Sequence, residues 1–349
     1  MGAIEKQILM KAIGSILVIL LFPFLVIGQS DDFPDANFQR ADSIAELYRN
    51  ASIVDLPHLS LSLTKDLNLD VEKFRAIHTW VCQNIKNDYG FFKENQRKRH
   101  SLLSKPKKLA AWNNTFNKRM FKALREGNRT VCTGYAYLIK EMAYFVGLPC
   151  EIIDGYGRTA NSNVEKLGIA NHSWNAVQLS GKWYLCDATW SAGSFYLFSG
   201  LKVFAQDYNN GFFLCAPERF IYNHLPLDLK WTLLSRDYDA QSFHLTPLVY
   251  NQVFKYGIES ISPFVLYVEK KEGDSLIVSF SSAEVIAAEK LYFEAFQYSN
   301  SFIIEPNRYF YKAGRHHLVI KKLQKGNFDL HLKYGDNYLL SYLMKVKKS

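Results

Sequence analysis

The chain has 349 residues, 48% of them hydrophobic and 21% charged, with a net charge of +9. That length suits one to three domains, and the composition excludes a disordered or a wholly membrane-embedded protein. Basic residues concentrate at Arg97–His100, Lys105–Lys108 and Lys345–Lys348 but form no continuous stripe of the kind a nucleic-acid partner needs; a solvated basic surface drawn to anionic polymers is the expectation.

Residues 1–28 read as an export signal. Lys6 and Lys11 precede an apolar run from Ala12 to Ile27, and Gly28 opens onto a polar stretch. The run is short for a membrane span, so the expectation is a periplasmic, cell-surface or secreted chain with no stable span after cleavage. An uncleaved N-terminal anchor is the alternative.

From Ala36 to Asn87 the pattern is helical, with Phe74, Ile77, Val81 and Ile85 repeating at helical spacing behind Asp70. Residues 90–128 are basic and read as a surface segment with short helices and isolated aromatics, Trp112 and Phe116. An apolar helix then runs from Tyr137 to Val146 and stops at Gly147 and Pro149, with a β-like stretch from Cys150 to Tyr156. Ser173–Leu179 and Trp183–Asp187 form a hairpin about Ser180-Gly181. Beyond Ser260, short alternating segments at 264–269, 275–280, 291–296, 309–311, 317–320, 328–333 and 338–344 suggest an antiparallel sandwich of immunoglobulin-like type. The expected domains are residues 30–240 and 255–349.

Cys132 is the first candidate for chemistry, because a thiol where a helix begins meets free N–H donors and the positive end of the helix dipole. With a two-residue turn at Ser180-Gly181, Asp187 falls opposite Trp174 and shares a face with His172. A carboxylate there can fix the imidazole tautomer while the second ring nitrogen meets a thiol. Taken singly, His172 reads better as a loop-end histidine and Asp187 as a helix N-cap. The five cysteines contain no Cys-x-x-Cys pair, so a zinc site is not expected, nor is any other metal or cofactor. In an oxidising compartment the odd count leaves at least one thiol unpaired, with up to two disulfides open among the rest.

Val131-Cys132-Thr133-Gly134-Tyr135-Ala136, Asn171-His172-Ser173-Trp174-Asn175 and Gly181–Trp190 together resemble the three core motifs of the transglutaminase-like superfamily, in order and spacing. Phe213–Phe220 and His224-Leu225-Pro226 through Trp231 resemble its kyphoscoliosis-peptidase branch. The resemblance covers about residues 70–235. It implies an α+β fold: a papain-like transglutaminase core, with N-terminal helices and a catalytic helix packed on an antiparallel sheet, followed by the all-β sandwich. Cys132 would attack a peptide or carboxamide carbonyl, His172 would act as base then acid, and Asp187 would orient it, through a thioester. Tyr135, Trp174 and Trp190 are groove candidates, with packing as their commoner fate; Trp112 is a candidate oxyanion donor beside the Cys132 backbone N–H. The expected activity is a peptidase or hydrolase acting on protein or peptide, cell-wall peptide included. Alternatives are a protein-glutamine transglutaminase that cross-links or deamidates, and a non-catalytic interaction module on the same fold.

Overall fold

A computed structural model describes residues 32–298 and 300–349. The export reading of residues 1–28 lies outside the described residues. Among the described residues, no helix is long and apolar enough to cross a membrane.

Three helices open the fold: α1 (Phe38–Leu47), α2 (Leu56–Thr64) and α3 (Asp70–Asn84). The predicted spacing in α3 holds, and Phe74, Ile77 and Val81 are fully buried. Glu72 ties the entry together by accepting from the backbone N–H of Asn37 at 2.8 Å. Short strands β1 (Lys86–Asn87) and β2 (Arg129–Thr130) pair in parallel and bracket α4 (Tyr89–Ser101) and α5 (Pro106–Gly127). Here the expectation of short helices is corrected: α5 runs 22 residues. Its buried side is only Phe116, Met120 and Leu124, one residue per turn, and α4 buries no residue completely. So thin an apolar stripe inside a basic segment hides the helical period.

Helix α6 (Cys132–Phe145) begins five residues earlier than the apolar run alone indicates. It packs on a four-stranded antiparallel sheet ordered β5-β4-β3-β8, where β3 is Cys150–Gly157, β4 His172–Leu179, β5 Lys182–Cys186 and β8 His224–Pro226. The β4–β5 turn is the predicted two-residue one: Ser180 and Gly181 have φ of 50° and 81°, and Leu179 pairs with Lys182. A short helix, α7 (Ala188–Ala192), follows β5; next come hairpin strands β6 (Gly193–Phe198) and β7 (Leu201–Gln206), and helix α8 (Pro217–Phe220).

A connector comprising α9 (Ala240–Leu245), β9 (Leu248–Val249) and α10 (Asn251–Lys255) leads to the sandwich. Its strands are β10 (Glu259–Ser262), β11 (Tyr267–Lys271), β12 (Leu276–Ser281), β13 (Leu291–Gln297), β14 (Asn300–Ile304), β15 (Arg308–Lys312), β16 (Arg315–Ile320), β17 (Gly326–Tyr334) and β18 (Asn337–Lys347). One sheet runs β10-β12-β16-β15 and the other β11-β18-β17-β13-β14, with β11 parallel to β18. Lettered A, A′, B, C, C′, D, E, F and G in chain order, these are the ABED and GFCC′ sheets of an immunoglobulin-type sandwich. The sequence expectation omitted β10 and β14. In β14 no residue is fully buried, so the cue of one apolar face is absent.

Strands β4 and β5 separate two cores. Trp174, Ala176 and Leu185 join a cluster that continues without a break through Phe212, Phe220 and Phe254 into the sandwich residues Phe280, Phe293 and Leu340. On the opposite face, Val177, Leu179 and Cys186 join the cluster formed by α2, α3 and α6.

Candidate active site

Cys132 is the first residue of α6. The helix can start there because Gly134 carries no side chain: a Cβ at that position would lie 1.9 Å from Thr130 Oγ1. First-turn N–H groups of a helix have no intrahelical acceptor, so those of Cys132 and Thr133 are free to face a ligand.

His172 opens β4 and Asp187 follows the last residue of β5. Strand register brings them together as expected: Asn175 pairs with Cys186, which sets Asp187 and His172 diagonally on the Trp174 face. His172 Nε2 is 2.6 Å from Asp187 Oδ2. With Nε2 engaged by Asp187, Nδ1 is the ring nitrogen left for the Cys132 thiol, which lines the same cavity wall as His172. Asp187 also caps α7, its Oδ1 accepting from the backbone N–H groups of Thr189 at 2.8 Å and Trp190 at 3.1 Å. The helix-cap and histidine-orienting roles weighed for Asp187 are thus performed by different oxygens of one carboxylate.

A residue outside the sequence candidates completes the group. His224, on β8, places Nε2 3.0 Å from Asp187 Oδ2 and its other nitrogen 2.7 Å from the Asn223 side-chain amide. It is fully buried and stacks on Phe220 with ring centroids 3.9 Å apart. The signal for it lay in the His224-Leu225-Pro226 segment, which marked the branch but suggested no contact with the site. Gly155 permits the β3–β8 pairing that positions it, since a Cβ there would meet Leu225 O at 2.3 Å.

The electrostatics are those of a prepared ion pair. Burial pushes the Cys132 thiol up, but the hydrogen bond and charge of His172 outweigh it and the net shift is downward. Burial lowers His172, yet Asp187 and the thiol raise it to about 10. Burial also raises Asp187, whose carboxyl is nevertheless held well below the usual range by His172 and His224. His224 itself is lowered by burial to about 4 and is neutral at pH 7, so it donates one N–H and adds no second cation. His172, Asp187 and His224 are close enough to share a metal ion, and as they stand the two imidazoles converge on the same carboxylate oxygen, Asp187 Oδ2.

The other candidates sit elsewhere. Tyr135 is buried in the core of α6, its hydroxyl donating to Ile85 O at 2.6 Å, and Trp174 is buried beneath His172, 1% exposed. Both pack and neither lines the groove. Trp190 is half-buried and stacks on the His172 ring at 4.8 Å. Trp112 is corrected as an oxyanion donor: its indole N–H is bound to Asn95 Oδ1 at 3.0 Å and it does not line the cavity over Cys132. Asn113 and Asn117, on the same helix, do line it. That cavity is about 490 Å³ and is open to Cys132, Thr133 and His172. All five cysteines are free thiols, so the disulfides left open by the sequence do not form here.

The sequence profile described as Transglutaminase-like superfamily matches residues 57–188, from α2 through the Asp187 cap. Over residues 57–188 the chain is similar to a transglutaminase-like core. Kyphoscoliosis peptidase from Homo sapiens is 27% identical over 251 residues, covering 71% of this chain and 34% of that protein. Hillarin from Drosophila melanogaster is 24% identical over 237 residues, 63% of this chain and 26% of that protein. The Lim and transglutaminase domain protein ltd-1 from Caenorhabditis elegans is 23% identical over 270 residues, 70% and 34% respectively. The chain therefore aligns with about a third or less of the length of these relatives. His224 and the sandwich lie beyond the profile match, so the transglutaminase-like core is completed here by a residue 36 positions past its matched end.

Proposed function

We propose that this protein is a cysteine enzyme that cleaves peptide or carboxamide bonds with Cys132 as nucleophile, His172 as acid and base, and Asp187 as orienter. The observation that bears most of the weight is His172 held to the Asp187 carboxylate across a hairpin whose register fixes both, on the wall of the cavity that Cys132 also lines. The thiolate attacks the carbonyl carbon, and the developing oxyanion faces the Cys132 N–H at the helix start, with Asn113 and Asn117 within the same cavity. His172 gives its proton to the departing nitrogen as the C–N bond breaks and a thioester forms. Water, deprotonated by His172, then releases the acid and restores the thiol. The name of the human relative, a peptidase, supports water over an amine as acceptor. Export is part of the same proposal and is supported by the basic-then-apolar pattern of residues 1–28.

The deciding experiment is the pH dependence of Cys132 alkylation in wild type and His172→Ala, with mass spectrometry of protein quenched during turnover of a peptide pool. Wild type should react well below the free-thiol range of about 8.5 and trap an acyl adduct on Cys132. A Cys132 indifferent to His172, or one that never acylates, would leave the fold as a binding module.

A further inference from the structure

The basic run Arg97–His100, seemingly only a charged surface in the sequence, ends α4 at the cavity over Cys132. Four cationic or protonatable side chains line that cavity, Arg99, His100, Lys166 and His172 itself, against one carboxylate, Asp154. Asp154 is already engaged, accepting from Ser173 Oγ at 2.6 Å. Nearby acids on α4 and at its start are matched to other cations: Glu94 to Arg119 at 2.8 Å and Asp88 to Arg129 at 2.9 Å. Among the described residues, neither Arg99 nor Lys166 makes an ion pair with any carboxylate.

Cations at a helix C-terminus are expected from the dipole alone. Arg99 does more than that. Its Nη1 donates to Ala170 O at 2.9 Å, anchoring the guanidinium to the loop that delivers His172. Its Nε is enclosed without a partner, a donor held in place with nothing to donate to. Much of the remaining wall is neutral amide and hydroxyl: Asn113, Asn117, Asn161, Asn163 and Ser162.

We propose that this cavity selects a peptide segment bearing carboxylate side chains beside the bond presented to Cys132, with Arg99 the fixed recognition group and Lys166 the mobile one. A planar guanidinium held in one orientation suits a carboxylate, whereas an exposed lysine adds attraction without geometry. A cavity of about 490 Å³ is in the range that encloses a short peptide or other small ligand. The inference rests on the reading of Cys132 as the nucleophile only for the word substrate; the charge selectivity is testable without turnover.

The test uses the full chain with Cys132→Ala and fluorescein-labelled hexapeptides carrying a central glutamine flanked by Glu, Gln or Lys, read by anisotropy at low and moderate salt. Glu-flanked peptides should bind at least about tenfold tighter than Lys-flanked ones, with the gap narrowing as salt rises. Adding Arg99→Gln should reduce the preference to about threefold or less, and the exposed change Lys166→Gln should reduce it partly without disturbing the fold, checked by circular dichroism. Equal binding of the three peptides, or a preference unmoved by both substitutions, overturns the inference. If selectivity is present but Cys132 in the wild type neither alkylates at low pH nor acylates, the inference stands and the catalytic reading falls.

Discussion

Oδ2 of Asp187 accepts from two histidines at once, His172 at 2.6 Å and His224 at 3.0 Å, while its other oxygen caps α7. Four donors on one buried carboxylate leave it a single orientation. His172 can then rotate away from Cys132 only by giving up a bond whose acceptor has nowhere to follow.

Replacing His224 by Leu should therefore act through Asp187. The apparent pKa of Cys132 alkylation should rise and the rate at neutral pH should fall about tenfold, which corresponds to about 1.4 kcal/mol, close to the lower end of the range for one lost hydrogen bond to a charged group. His224→Gln, which keeps a donor, should recover part of the rate. A role in packing alone predicts lower stability in His224→Leu with an unchanged pH profile.

Native protein should expose one reactive thiol out of five. Cys82, Cys150, Cys186 and Cys215 are buried, and burial pushes each thiol up, Cys150 to about 12. Labelling with iodoacetamide at pH 6 followed by peptide mapping should find the label on Cys132 and little elsewhere; all five should label after unfolding.

Acid should destabilise the fold through two neutral histidines. Burial lowers His78 to about 3 and His224 to about 4, against an ordinary value of 6.5. Between 6.5 and those values the unfolded chain takes up protons that the folded chain refuses, so stability falls as pH drops through that window. Each group contributes at most about 1.4 kcal/mol per pH unit. His172 has the opposite sign: raised to about 10, it stabilises fully below 6.5 and its contribution is lost as pH rises toward 10. Urea melts from pH 4 to pH 10 should trace a dome. In His224→Leu the acid limb should be shallower relative to its own maximum.

Gly134→Ala should be severe for a residue that touches no substrate. Its Cβ would collide with Thr130 Oγ1 at 1.9 Å, and Thr130 is itself fully buried. Overpacking of this kind costs about 1–3 kcal/mol. The α6 start should shift, and Cys132 reactivity should fall more than stability does. Thr130→Ala in the same chain should restore part of both.

Arg158 is buried, and its guanidinium donates to the Phe243 and Thr246 carbonyls and the Thr246 hydroxyl at 2.8–2.9 Å, and to His244 O at 3.1 Å. It joins the end of β3 to the connector. Arg158→Met removes the donor to the Thr246 and His244 carbonyls, leaves Phe243 O only its bond from the Thr246 hydroxyl, and should destabilise by about 3 kcal/mol or more, with limited proteolysis cutting first between residues 240 and 250.

The parts of this architecture legible in the sequence were those with a local rule behind them. Ser180-Gly181 specifies a two-residue turn, the turn fixes the register, and the register places Asp187 beside His172. The long α5 escaped notice because Phe116, Met120 and Leu124 are its only buried residues and lysines and arginines surround them. His224 escaped because its contact with Asp187 crosses 37 positions and depends on β8 pairing with β3, which no local pattern encodes. Alternation could not show which face of β4 held the site, since seven of its eight residues are buried.

The unbroken cluster from Trp174 through Phe212 and Phe254 to Phe293 bears on how such a protein can be rearranged in evolution. Phe212, just ahead of α8, stacks on Phe254 in the connector at 4.1 Å, so the second half of the chain supplies part of the floor under His172. A sandwich borrowed from another lineage would have to arrive with its own counterpart of Phe254, or the strand bearing the imidazole would rest on water. The two halves are therefore heritable together: recombination at the connector breaks an interior, not a tether.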